Sequence, residues 1–163
     1  MRPHKPLAAK WWIAAAICSM LPDADVLAFS IGIPYSHLFG HRGFSHSVAF
    51  AALLAAIVAM LLRNDTDAPI GGLRIWLFLF LATVSHGVLD AMTSGGLGVA
   101  FFSPFSNQRY FFDWRPILVA PIGVGRFFSD RGVAVLKSEV VWVWLPSLAL
   151  VGLSLLVRKP KAN

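Results

Sequence analysis

The chain has 163 residues, 57% of them hydrophobic and 13% charged, with a formal net charge of +6 and a mean hydropathy of +0.69. Soluble domains run nearer half apolar and a quarter charged, so this balance excludes an ordinary soluble domain and points to a single integral-membrane domain over 1–163. The basic residues form no stripe or basic helix, so no nucleic-acid partner is expected. The one cysteine, Cys18, excludes an internal disulfide framework and any cysteine-rich zinc site.

Four apolar segments follow in chain order, giving an all-α, polytopic membrane protein of about four transmembrane helices. The first, 7–21, "LAAKWWIAAAICSML", is short for a span and is interrupted by Lys10. Its basic start and short apolar core also fit a secretory signal peptide. No small-x-small cleavage site precedes Pro22, and Ile17 stands where a lipoprotein signal wants a small residue, so a retained, short or tilted helix is expected. Cys18 within it reads as a small buried hydrophobe. The second segment is 47–62 and the third 75–92. The fourth, 140–157, carries Pro146, which should kink it without abolishing it. A bilayer core takes roughly 20 helical residues, so the last three qualify with modest extension.

Between the third and fourth segments, 95–139 reads as a long loop rich in glycine, proline and aromatic residues. Long loops in compact proteins are usually functional, and the phenylalanines suit an interfacial belt. Lysine and arginine crowd the span ends on one side (Arg2, Lys5, Lys10, Arg63, Arg74, Arg158, Lys159, Lys161). On the other side they are spread over longer loops (Arg42, Arg109, Arg115, Arg126, Arg131, Lys137). The positive-inside rule then puts both termini in the cytoplasm.

The polar residues converge by parity. Asp23 and Asp25, in "PDAD", end the first segment; His41 and His46, in "HRGFSHS", precede the second; His86 and Asp90, in "SHGVLD", end the third. All six therefore reach one membrane face, whichever side that is. His86 and Asp90, four apart, share a helical face. His41 and His46, five apart, do not. The expectation is that His41 and Arg42 belong to a loop, Gly43 allows a turn, Ser45 caps, and His46 opens the next helix. Pro22 should discourage helix at Leu21, leaving Asp23 and Asp25 extended with both carboxylates toward one side. Imidazole and carboxylate together suit zinc, manganese or iron, with zinc first. Ionisable residues at span ends mark function by default.

Each residue alone has a plain structural explanation. His86 could bond a neighbouring helix, Asp90 could balance Arg42 or Arg109, and Asp23 could belong to a turn. His37 reads as an interfacial loop histidine and His4 as part of a charged tail. Asp65 and Asp67 suit a solvated turn, and Asp113 and Asp130 suit pairs with nearby arginines. Six residues meeting on one face favour a divalent metal site.

"LPDADVL", "GHRGFSHS", "SHGVLDAMTSGG" and "FFSPFSNQRYFF" together resemble the YdjM-type bacterial inner-membrane metal-dependent hydrolases, over about Leu21 to Pro121. That family is similar, distantly, to the zinc-dependent phospholipase C and P1-nuclease group. The resemblance implies phosphoester hydrolysis and matches Asp23, Asp25, His41, Arg42, His46, His86 and Asp90. Ser45 stands where many relatives have threonine, and the N-terminus is shorter than in many of them.

The expected function is a membrane-bound metal-dependent hydrolase of a phosphoester. Asp23, Asp25, His41, His46, His86 and Asp90 are the ligand candidates. His41 could instead donate a proton, while Arg42 and Arg109 neutralise the anion. Phe101, Phe102, Phe105, Phe111 and Phe112 suggest a lipid-linked or otherwise amphipathic substrate. The site is expected to face the periplasm. A metal or proton transporter should instead place such residues near the bilayer midplane. A non-catalytic protein with a structural metal should close its ligand shell.

Overall fold

The computed structural model describes residues 7–62, 71–122 and 124–157. Arg2, His4, Lys5, Arg63, Asp65, Asp67, Arg158, Lys159 and Lys161 lie outside the described residues. Among the described residues the chain is helical; no strand forms, only two isolated bridges, Val99 with Tyr110 and Thr93 with Ile117. Among the described residues three helices are long and apolar enough to cross a membrane, Ala9–Ile31, Gly72–Ala91 and Asp130–Val157, with a shorter apolar helix, Val48–Leu61. The chain divides into two compact units, one of 1–91 with 97–112 and one of 92–96 with 113–163.

The first unit begins with α1, Ala9–Met20, which runs on as a 3-10 helix over Leu21–Ile31. This corrects two expectations: the first span is not short, and Pro22 does not end it. A proline cannot donate, and its ring crowds the preceding turn. The chain tightens into 3-10 winding at Leu21 and remains helical, with Pro22 in the first turn of the new segment. Gly32, at φ 80, then stops the helix, its N–H reaching back to Ala28 and Phe29 carbonyls. At about 1.5 Å per α residue and 2.0 Å per 3-10 residue the element is roughly 40 Å long, more than a bilayer core needs.

A 3-10 turn, Phe44–His46, leads into α2, Val48–Leu61. The cap is Ser47, whose hydroxyl oxygen accepts the Phe50 N–H at 3.0 Å, so Ser45 is not the cap and His46 lies before α2. With 14 residues, α2 rises only about 21 Å.

The third helix, α3, Gly72–Ala91, buries Ile75, Leu79, Thr83, Gly87 and Ala91, one residue every four. That spacing is a single stripe along the helix. Leu73, Leu77 and Leu81 form another stripe, and it is exposed. Trp11, Ala15 and Cys18 of α1 and Ala55 of α2 complete the core with Ile75 and Leu79. Lipid tails are as apolar as leucine, so helices in a membrane gain little from burying large side chains and associate where small ones allow close packing. Ala15, Cys18, Ala51, Ala55 and Gly87 fit that rule. Cross-helix bonds add to it: Trp76 Nε1 donates to the Ala52 carbonyl at 3.1 Å, and Trp12 meets Phe78 edge-on at 5.3 Å.

In the second unit the expected loop over 95–139 contains two helices, α4, Val124–Phe127, and α5, Asp130–Glu139. The latter continues through a π-helical turn, Val140–Trp144, into α6, Leu145–Val157. The last span therefore starts ten residues earlier than hydropathy alone suggests. Pro146 follows the wide π turn, which leaves room where its missing N–H and its ring would strain an ordinary α turn. Trp114 packs edge-on against Trp142 at 5.1 Å, and the Leu118 N–H donates to Ser138 Oγ at 3.0 Å.

Candidate metal centre

The first unit brings all six ligand candidates together. His46 arrives from the 3-10 turn before α2, His86 and Asp90 from the last turns of α3, and Asp23 and Asp25 from the 3-10 half of the first helix. His86 and Asp90 each precede a residue of the α3 packing stripe, Gly87 and Ala91. The stripe that seats α3 in the bundle therefore also aims these two side chains along its edge.

His46 Nε2 lies 3.2 Å from His86 Nε2, 3.1 Å from Asp90 Oδ2 and 3.5 Å from Asp23 Oδ1. His86 Nε2 lies 3.3 Å from Asp23 Oδ1 and 3.7 Å from Asp90 Oδ2. Four donors on a tetrahedron about an ion 2.0–2.2 Å away stand roughly 3.3–3.6 Å apart. The donor set fits one divalent ion in both chemistry and spacing, and Asp23, His46, His86 and Asp90 are the residues that would hold it. Burial is uneven. The His46 side chain is fully buried, whereas that of Asp23 is 55% exposed, so the open side of the cluster is at Asp23.

The two aspartates of "PDAD" do not act together. In a 3-10 helix residues two apart are rotated by about 240°, so their side chains diverge. This corrects the expectation of an extended Asp-x-Asp with both carboxylates on one side. Asp25 instead faces His41, His46 and Ser45 in a second group. Its Oδ1 accepts from His41 Nδ1 at 2.7 Å, and its Oδ2 lies 3.1 Å from His46 Nδ1.

Burial by itself would lower the pKa of His46, but hydrogen bonds from its ring to Asp23, Asp25 and Asp90 and the charge of Asp90 outweigh it and push the imidazole up to about 10. In the absence of metal His46 is a proton-carrying hub for three carboxylates. A folded pKa above the ordinary 6.5 stabilises the metal-free protein fully below that value, and the contribution is lost as the pH rises through about 10.

Arg42 and Arg109, expected at a substrate anion, are engaged within the protein. Arg42 donates from Nη2 to Asp90 Oδ1 at 2.9 Å and from Nη1 to the Asp90 carbonyl at 3.3 Å. It is a buried residue in the left-handed region, φ 59. That conformation costs a non-glycine residue about 1 kcal/mol or more, yet it lets the Arg42 N–H bond Asp25 while the side chain turns to Asp90. Arg109 donates to the carbonyls of Tyr35 at 2.8 Å, His41 at 3.0 Å and Gly98 at 3.3 Å. It thereby ties the 97–112 excursion to the loop that carries His41. His37 stays outside the cluster; it is exposed, with Nδ1 accepting the Phe39 N–H.

Sequence reasoning passed over Gly87, although it sits beside His86 in "SHGVLD". A Cβ at Gly87 would stand 2.9 Å from the His46 carbonyl oxygen. Only glycine lets the turn carrying His46 approach α3 this closely. Gly87→Ala is expected to cost about 1–3 kcal/mol through overpacking. It should also weaken metal binding by moving His46 Nε2 off His86 and Asp90. Thermal melts with and without zinc check both, and unchanged zinc affinity would refute the second.

The YdjM inner membrane protein family model matches the chain over residues 2–160. The chain is 44% identical over 140 residues to inner membrane protein YbcI of Escherichia coli (strain K12), covering 86% of this chain and 80% of that protein. No solved structure matches it. With the spans, the clustered histidines and aspartates and these two matches agreeing, the chain belongs to the YdjM inner membrane protein family.

Proposed function

We propose that this protein is a membrane-embedded metal-dependent hydrolase of a phosphoester, with Asp23, His46, His86 and Asp90 holding one divalent ion, zinc before manganese or iron. The observation that carries this reading is the set of four clustered donors, two imidazole nitrogens and two carboxylate oxygens within 4.8 Å of one another, with the histidine nitrogens 3.1–3.7 Å from each other and from both carboxylates. A divalent ion held there supplies Lewis-acid polarisation of a phosphoryl oxygen and makes water more acidic.

The chain's own residues supply the rest. Arg42 grips Asp90 through Oδ1 and leaves Oδ2 turned toward the cluster. Asp23, the exposed donor, borders the side from which substrate enters. Of the three residues expected to act on substrate, His41 keeps a part in proton transfer, its ring fixed through Nδ1 on Asp25. Arg42 and Arg109 serve as supports. Phe102, Phe105 and Phe112 are exposed on the excursion that Arg109 anchors, which favours an amphipathic substrate at the level of the headgroups. In the same proposal α2 is a fourth, short span, both termini are cytoplasmic and the site faces the periplasm.

One observation favours a second reading, a structural metal. Four protein donors at tetrahedral spacing can close the shell around zinc and leave no position for water. Metal analysis of protein purified without chelator, run beside a panel of phosphomonoesters, phosphodiesters and lipid phosphates, separates the two. Chelator-sensitive hydrolysis restored by added metal supports the hydrolase. Bound metal without hydrolysis of any substrate supports the structural site, and absence of metal sinks both.

Metal must displace a proton from His46, so binding should strengthen with pH. Below a pKa of about 10, one displaced proton corresponds to about a tenfold gain in apparent affinity per pH unit. Competition titrations with a chelating dye between pH 6 and 9, corrected for the dye, read that slope. A flat profile would show that His46 gives up no proton when the ion binds.

A further inference from the structure

Asp25 is met by donors on both of its carboxylate oxygens. Oδ1 accepts from His41 Nδ1 at 2.7 Å. Oδ2 accepts from the Arg42 backbone N–H at 3.1 Å, from the Ser45 hydroxyl and from His46 Nδ1 at 3.1 Å. An ionised carboxylate only accepts, with about two lone-pair sites on each oxygen; three of these donors crowd Oδ2 and one meets Oδ1. The side chain is 7% exposed, with His41 at 10% and His46 fully buried, so water does not compete for the positions.

Asp25, His41 and His46 are close enough to suggest a second ion beside the first, but the hydrogen bonds oppose it. An ionised carboxylate only accepts, so each imidazole must present Nδ1 with its proton to Asp25. A second ion would have to expel the Nδ1 protons of both histidines, leave His46 ligated through both ring nitrogens, and compete with four donors for the Asp25 carboxylate.

We infer that Asp25 is a positioning residue that fixes His46 and His41 in the Nδ1–H form, and that the centre takes a single ion per chain. This rests on the metal-centre reading above. Partners of this kind set the tautomer and aim of a metal-binding histidine, and losing one costs about 10–100-fold in metal affinity. Ser45 and the left-handed backbone at Arg42 have the same purpose: each delivers one donor to Asp25 Oδ2.

The test is zinc stoichiometry of full-length protein in detergent by elemental analysis. NMR of ¹⁵N-histidine protein loaded with ¹¹³Cd accompanies it. One zinc per chain is expected, with cadmium–nitrogen coupling to Nε2 of His46 and His86 and a protonated, uncoupled Nδ1 on His41. Asp25→Asn should still reach one zinc per chain at saturation, with affinity lower by about 10–100-fold. Two zinc ions per chain in the unaltered protein, or coupling to His46 Nδ1 or to His41, would overturn the inference and leave the metal-centre reading standing. No zinc at all would overturn that reading and this one together. The unaltered protein decides the matter even where Asp25→Asn fails to fold.

Discussion

Replacing His86 by alanine is expected to empty the metal centre, taking bound zinc from one ion per chain to almost none in protein prepared without added metal. His86 Nε2 faces His46 Nε2 at 3.2 Å and Asp23 Oδ1 at 3.3 Å, so its loss removes one corner of the donor set. Losing a partner that merely orients a ligand already costs about 10–100-fold in affinity, and losing the ligand itself should cost more. In the proposed hydrolase, activity should fall with the metal. The fold should survive, because His86 lies off the stripe of Ile75, Leu79, Thr83, Gly87 and Ala91 that seats α3. Elemental analysis, helix content by circular dichroism and a substrate assay on the same sample read all three. An unchanged zinc content would remove the donor set from any part in metal binding.

The second large effect is expected at Arg42. Its guanidinium and the Asp90 carboxylate meet at 2.9 Å with side-chain exposures of only 5% and 16%. Removing one member of a buried ion pair costs about 3–5 kcal/mol, because the remaining charge keeps its desolvation penalty without its counter-ion. Arg42→Ala should therefore lower the thermal midpoint of the metal-free protein strongly. The loss should shrink when zinc is bound, since the ion also compensates Asp90. Arg42→Gly should be less damaging than Arg42→Ala, because φ 59 is unstrained for glycine and costs alanine about 1 kcal/mol or more. Equal destabilisation with and without zinc would show that Asp90 does not face the ion.

Much of this architecture is legible along the chain. The three apolar segments 47–62, 75–92 and 140–157 each coincide with helix, because a run of apolar residues too long for a strand satisfies its backbone within a membrane only by coiling. The convergence of Asp23, Asp25, His41, His46, His86 and Asp90 follows from counting spans. The four-residue spacing of His86 and Asp90 correctly puts both on one face of α3.

What composition and spacing leave undecided turns on how turns are wound and which side chains pair. Pro22 reads as a helix stop in isolation, yet 3-10 winding carries the helix to Ile31 and rotates Asp23 and Asp25 apart. The start of the last span at Asp130 is hidden by Asp130, Arg131, Lys137 and Glu139, which depress hydropathy without stopping the helix. Arg42 and Arg109 look like anion contacts by residue type. In the structure they bond Asp90, which the sequence also offered as a counter-ion to Arg42, and the carbonyls of the 35–41 loop, 48 or more residues away in sequence.

The sequence by itself thus determined the helical class, the membrane-spanning character and the six residues that meet, because hydropathy and span parity are local or countable properties. Only the tertiary structure decided that four of those residues form one donor set and that Asp25 stands behind His46. It also decided that the arginines face inward, because hydrogen-bond partners in a buried cluster are chosen by which helix ends pack together, and Gly87 lets two of them touch.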